Sequence, residues 1–258
     1  MTTSTTGRFV WHELHTGDRP HALKFYAQLF GWETKEVPMG PGEPYGLCFL
    51  GGKDMAGITK SMAPAGVPPH WLPYLAVDDV DASAKKVTEL GGKIMAPAMD
   101  IPEVGRFAVA MDPTGAAFAL YKGTKAYPEE PKTPPNGSFC WEELHSSDPA
   151  VAAKFYAGLF GYAVEEMDMG PMGTYRILKS GDKQRAGVMK LMPESGPMSF
   201  WLTYVAVKDV DESTRNAKEI GGKVLVPPQD IPKIGRFSII ADPTGAGIAL
   251  FKGAPTAA

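Results

Sequence analysis

FVWHELHTGD, Phe9–Asp18, decides how this chain is read, because it returns 130 positions later as FCWEELHSSD, Phe139–Asp148. Held at that shift without a gap, Phe9–Gly123 lies over Phe139–Gly253, and about half of the aligned residues are identical. A module has been written twice, so repetition is settled before any residue is read alone. With 258 residues and 44% apolar residues, the chain is long enough for two domains that each bury a core. We expect domains at residues 1–123 and 139–258, with 124–138 (TKAYPEEPKTPPNGS) as a Pro-rich, charged, semi-rigid spacer on the surface.

The opening stretch alternates and carries β-formers. It reads as a strand over Phe9–His15, with Phe9, Trp11, Glu13 and His15 on one face and Val10, His12 and Leu14 on the other. A helix follows. Asp18 suits its N-cap, Pro20 its first turn, and Gly31 its stop, while Ala22, Phe25, Tyr26, Leu29 and Phe30 keep helical spacing. Asp148, Ala152, Phe155, Tyr156, Leu159, Phe160 and Gly161 repeat the plan. Three extended runs then lie between Trp32 and Thr59, broken by turn chemistry at Met39–Gly42 and Gly51-Gly52. The plan restarts with a strand over Trp71–Val77, a helix on Val80, Ala84, Val87 and Leu90 ending at Gly91-Gly92, and three more strands. The last two, about Gly105–Met111 and Ala116–Lys122, are joined by Asp112-Pro113-Thr114-Gly115, the residue order of a type I turn. Each copy thus holds two βαβββ units.

Composition narrows the function classes. A net charge of −3, with Lys and Arg scattered among acids, argues against a nucleic-acid partner. No apolar run approaches the ~18 residues that span a bilayer, and MTTSTTG lacks the features of a signal peptide, so no membrane partner and a cytoplasmic location are expected. Asn136-Gly137-Ser138 is accordingly read as a chance match to a glycosylation acceptor. Cys48 and Cys140 sit at unrelated places in the copies, which argues against a disulfide framework or a shared thiol chemistry. His12-Glu13-Leu14-His15 is not a zinc motif. It lacks the four-residue helical spacing, its histidines face opposite sides of a strand, and the second copy reads EELH.

The βαβββ–βαβββ order, KFYAQLFGW or KFYAGLFGY in the first helix, the paired glycines after the second, and DPTG before the last strand together resemble the glyoxalase/bleomycin-resistance/extradiol-dioxygenase superfamily, also called vicinal oxygen chelate. The match covers nearly the whole chain, and the WxELH strand in tandem resembles two-domain bacterial glyoxalase-like proteins. The resemblance implies an α+β fold of two tandem domains, each a pair of βαβββ units forming a curved mixed sheet around a ligand cup. It also implies a divalent metal held by His, Gln or Glu side chains. The implied ligand positions, however, fall on Trp11, Leu72 and Ala119, and on Trp141, Leu202 and Ala249, none of which binds a metal. We therefore expect neither metal nor other cofactor.

What remains is a lined pocket with a few polar groups. Glu13 and His15 stand two apart on one strand face, roughly 7 Å between Cα atoms, and Glu143 and His145 repeat them. Such pairs against apolar walls suit acid–base or hydrogen-bonding work: Glu as base, His polarising a carbonyl. A buried pair that only organises the strand is the alternative. Trp11, Leu72 and Tyr74 with Trp141, Leu202 and Tyr204 are the expected ligand walls or core, and Arg106 and Arg236 either clamp an anionic ligand or pair on the surface. The expected partner is a small organic metabolite or antibiotic, bound by a monomer or homodimer. The alternative is a lyase-, hydroxylase- or dioxygenase-type enzyme acting on a small carbonyl or aromatic substrate.

Overall fold

The computed structural model describes residues 5–38, 43–63, 66–170 and 173–254; the turn expected at Met39–Gly42 lies outside them. The first copy runs β1 (Phe9–Thr16), α1 (Arg19–Phe30), β2 (Glu33–Val37), β3 (Tyr45–Leu50), β4 (Lys53–Lys60), β5 (His70–Ala76), α2 (Val80–Glu89), β6 (Lys93–Ile101), β7 (Gly105–Met111) and β8 (Ala117–Gly123). The second repeats it as β9 (Phe139–Ser146), α3 (Pro149–Phe160), β10 (Ala163–Asp168), β11 (Thr174–Ser180), β12 (Lys183–Lys190), β13 (Phe200–Ala206), α4 (Val210–Glu219), β14 (Lys223–Ile231), β15 (Gly235–Ala241) and β16 (Gly247–Gly253). Two mixed sheets of eight strands result, ordered β2-β3-β4-β1-β5-β8-β7-β6 and β10-β11-β12-β9-β13-β16-β15-β14. No helix among the described residues is long and apolar enough to cross a membrane.

Local chemistry sets the element boundaries. The Asp18 side chain accepts from the His21 amide at 3.2 Å, and α1 stops where Gly31 turns left-handed at φ 71°. In DPTG, Asp112 Oδ1 accepts from the Thr114 amide at 2.7 Å and the Ala116 amide at 3.1 Å, and its carbonyl accepts from the Gly115 amide at 3.1 Å, which closes the turn. Alternation holds on β1: His12, Leu14 and Thr16 are buried in the core, and Trp11, Glu13 and His15 lie half-buried on the opposite face.

Packing follows halves of the copies. One compact unit comprises Met1–Val10, Leu72–Glu130 and Glu142–Leu202; the other comprises Trp11–Trp71, Pro131–Trp141 and Thr203–Ala258. In the first, α2 packs on α3 over a core that includes Leu75, Val87, Phe118, Leu144, Phe155 and Tyr156; in the second, α1 packs on α4 over Leu14, Phe25, Tyr26, Trp71, Ile240 and Ile248. Each large apolar side chain fully buried this way contributes about 1.5–3 kcal/mol.

The motifs that carry the family resemblance meet inside these cores. In the second unit, Tyr26 of KFY donates to Asp242 of the second DPTG at 3.0 Å and accepts from Trp71 Nε1 at 3.1 Å. Burial, then Asp242, pushes the Tyr26 hydroxyl well above its usual range. Tyr156 takes the same place in the first unit, accepting from Trp201 at 3.1 Å. The paired glycines serve the same packing. Gly91 is left-handed at φ 88°, and a Cβ on Gly92 would stand 3.0 Å from the Phe155 ring.

Residues 124–138 are held at two points. In the first unit Glu130 pairs with Arg8 at 3.0 Å and Lys183 at 2.6 Å, and with Arg185. In the second unit Trp32 Nε1 donates to the Gly137 carbonyl at 2.7 Å.

Candidate functional site

In the unit that holds α1, Glu13 is the hub of a small polar group. Its Oε1 lies 2.9 Å from His15 Nε2, and its Oε2 accepts from the Tyr45 hydroxyl at 2.6 Å. Trp11 Nε1 donates in turn to the Tyr45 oxygen at 3.2 Å. Tyr45 reaches Glu13 because of a glycine. Gly57 on β4 pairs with Glu13 on parallel β1 and with Leu47 on antiparallel β3, so the tyrosine must cross over it. A Cβ at Gly57 would stand 1.7 Å from the tyrosine oxygen. The His15 ring stacks on His70, with centroids 5.3 Å apart and planes 6° apart. His70 Nδ1 lies 2.9 Å from the Pro68 carbonyl, and burial, reinforced by His15 and opposed by that carbonyl, lowers its pKa from the ordinary histidine value.

The other unit builds the same group from matched residues. Glu143 Oε1 is 3.0 Å from His145 Nε2 in a hydrogen bond, and Glu143 Oε2 accepts from the Tyr175 hydroxyl at 2.8 Å. Gly187 pairs with Glu143, and a Cβ there would stand 1.8 Å from the Tyr175 oxygen. His145 stacks on Phe200, the counterpart of His70, at 4.9 Å and 8°.

The expected residues separate into two sets. Glu13 and His15, and Glu143 and His145, are each brought into contact, and Trp11 joins the first pair through Tyr45. Leu72 and Tyr74 are buried, Tyr74 against Phe107 at 6.2 Å and Tyr121 at 6.0 Å; Leu202 is buried too, and Tyr204 is buried against Phe251 at 6.3 Å. Trp141 is half-buried on β9 and belongs to the α1 unit, whereas Glu143 and His145 belong to the other. Arg106 is committed elsewhere. Its Nε and Nη2 meet both oxygens of Asp81 at 2.8 and 2.9 Å, and its Nη1 meets Asp100 at 3.0 Å, tying α2 to β6. Arg236 makes the same bracket with Asp211 and Asp230. These contacts tie each arginine to two aspartates at the surface, the pairing alternative that the sequence left open.

Sequence reasoning passed over Tyr45, Tyr175, Gly57 and Gly187, and gave His70 no role because its counterpart is Phe200. The first four are identical at matched positions of the two copies, and that was the available signal. Cys48 is buried, with its thiol pushed up to about 12 by that burial, in keeping with a packing role. A groove of about 340 Å³ lies along His21, Lys24, Gln28 and Glu219, and shares no residue with the Glu13 group.

A family model described as the Glyoxalase/Bleomycin resistance protein/Dioxygenase superfamily matches residues 8–120 and 143–250. The chain belongs to that superfamily. A Mycobacterium tuberculosis protein named as a candidate glyoxylase is 39% identical over 248 residues, 95% of this chain and 94% of its own length. An anthracycline biosynthesis protein of Streptomyces peucetius is 34% identical over 277 residues, 100% of this chain and 98% of its own. Among solved structures, the Mn(II)-bound glyoxalase from Novosphingobium aromaticivorans matches with a TM-score of 0.66 at 18% identity, over 96% of this chain and 82% of that one. The 2,2',3-trihydroxybiphenyl 1,2-dioxygenase from Sphingomonas wittichii matches with 0.67 at 14% identity, over 96% and 91%. At such identities these two structures show the superfamily fold alone.

At the three positions per copy where the resemblance implies metal ligands, no matching donor stands. Trp11, Leu72, Ala119 and their counterparts carry no suitable atom, and Ala119 and Ala249 are fully buried at the register partners of Tyr74 and Tyr204. Among the described residues no group of three or more His, Cys, Asp or Glu side chains gathers as a metal site would need.

Proposed function

We propose that this superfamily member binds a small organic molecule at its Glu–His–Tyr groups, and that the chemistry there is hydrogen bonding and proton transfer by the carboxylate, imidazole and phenol. One observation carries the reading: the same bracket is built twice, from matched residues, on the face of the strand that the core does not use. Relatives named for anthracycline biosynthesis support an aromatic ligand. We read the chain as a cytoplasmic monomer or homodimer without nucleic-acid or membrane partners. The test is thermal unfolding against a panel of aromatic, carbonyl and carboxylated metabolites, with elemental analysis of the same protein. A compound that raises Tm in the wild type but not in the Glu13→Gln, Glu143→Gln double variant supports the reading. No stabilisation across the panel, or one stoichiometric transition metal per chain, counts against it.

A second reading, an enzyme acting on a small carbonyl or aromatic substrate, draws on the burial of Glu143 and His145. A carboxylate that orients an imidazole is an arrangement of general acid–base catalysis. In that case both oxygens of each Glu are engaged, so His is the proton-transfer group and Glu its positioning residue, the reverse of the roles expected from sequence. Loss of turnover in His145→Gln with ligand binding retained would favour catalysis.

A further inference from the structure

We infer that His145 Nδ1 is the atom that receives an acidic O–H from the ligand, and that the second-copy group is therefore selective for a small phenol or enol. This rests on the small-molecule reading above and names its ligand class. A carboxylate is an acceptor, and Glu143 already accepts from Tyr175 on Oε2, so the contact on Oε1 makes His145 Nε2 the donor. A neutral imidazole has one donor and one acceptor, which leaves the lone pair on Nδ1. That nitrogen is buried and meets no hydrogen-bond partner among the described residues, on a side chain only 7% exposed. A buried acceptor in that state is destabilising, and a donor from outside the chain would offset the cost.

The surroundings select the donor. Phe200 lies parallel to the imidazole at 4.9 Å, so one face of the ring meets an apolar neighbour that offers no hydrogen bond. Nδ1 has no hydrogen to give to a carbonyl, so the complementary group is a hydroxyl. If the proton moves, the O–H bond breaks, the Nδ1–H bond forms, and the electron pair stays on the oxygen as phenolate or enolate. The imidazolium keeps its Nε2–H on Glu143. The first-copy group lacks two of these features. His15 Nε2 lies 2.9 Å from Glu13 but is buried without an aligned hydrogen bond, so its tautomer is not fixed in the same way. The wall is His70 instead of Phe200.

The test compares 4-nitrophenol with 4-nitroanisole, its O-methyl ether, in equilibrium titrations of the full chain. The expected result is one nitrophenol per chain, bound at least tenfold more tightly than nitroanisole. That preference should be lost in His145→Gln and kept in the control His21→Gln, whose side chain is exposed on α1. Should His145→Gln fail to fold, ¹⁵N-histidine NMR of the wild type replaces it: one imidazole, protonated on Nε2, should shift with nitrophenol and stay put with nitroanisole. Equal affinity for the two compounds, a preference that survives His145→Gln, two equivalent phenol sites, or no shifted imidazole overturns the inference and leaves small-molecule binding standing. Failure of both compounds, together with the metabolite panel, removes the reading beneath it.

Discussion

Glu13 and Glu143 hold the same partners, a histidine two residues on and a tyrosine that crosses a glycine, yet their imidazoles differ in setting. The His15 side chain is 20% exposed and stacks on another imidazole; that of His145 is 7% exposed and stacks on a phenyl ring. Duplication kept the bracket and let its neighbour diverge. The carboxylate–tyrosine pair therefore acts as a common frame, and position 70 or 200 decides what the imidazole in that frame can do.

Removing the frame should separate the copies most. Glu143→Ala leaves a buried imidazole with neither nitrogen partnered and takes an acceptor from the half-buried Tyr175 hydroxyl, a loss of about 3 kcal/mol. Glu13→Ala likewise takes an acceptor from Tyr45, but its imidazole is more exposed to begin with, so a smaller loss of about 1–2 kcal/mol is expected. Urea unfolding of the two variants measures the gap. Equal losses would mean that the burial difference carries no energetic weight.

The parts of this frame were unequally legible in the sequence. Strand alternation put Trp11, Glu13 and His15 on one face, and capping residues marked α1, because those signals are local. The choice of packing partner was not local. Phe25 and Phe155 sit in nearly identical motifs, as do Gly92 and Gly222, so nothing in the residues says that Phe155 meets Gly92 and Phe25 meets Gly222. Tyr45 was hidden for another reason. Its role depends on a register three strands wide, with Gly57 opposite both Leu47 and Glu13, and such a register is set by the whole sheet.

A methyl group at the glycine should break both frames alike. Gly57→Ala and Gly187→Ala each place a carbon within 2 Å of a tyrosine oxygen, at 1.7 and 1.8 Å, so the ring must leave its glutamate. Each loses a charge-assisted hydrogen bond, for about 1–3 kcal/mol. The cost should largely vanish in a Tyr45→Leu or Tyr175→Leu background, a coupling that a double-mutant cycle reads directly. Additive losses would mean that the glycines matter for some reason other than the tyrosines.

Acid should act on the first copy through His70. Its folded pKa is lowered from 6.5, chiefly by burial, so the unfolded chain binds the proton more readily. Stability contributed by the neutral ring is present above 6.5 and falls as pH drops from there through the lower folded value. His70→Phe, which installs the second copy's residue, should flatten that part of the stability–pH curve. The effect is smaller than those above, since one partly exposed ring is involved. An unchanged slope between the two proteins would assign the acid sensitivity to other groups.

The smallest effect supplies the control. Arg106 and Arg236 hold their two aspartates with nearly the same geometry, Nε to Asp81 at 2.8 Å and Nε to Asp211 at 2.7 Å, and the guanidinium beside each holds that carboxyl below its usual range. Both brackets lie at the surface, where solvent and salt screen them, so Arg106→Ala and Arg236→Ala should each shift Tm only slightly, and less at high salt. The two shifts should also match. Because Arg106 lies in the unit that carries Glu143 and Arg236 in the unit that carries Glu13, a clear mismatch would show that the units respond differently to the same lesion. The gap between Glu143→Ala and Glu13→Ala would then belong to the units, and the contrast between Phe200 and His70 would lose its force.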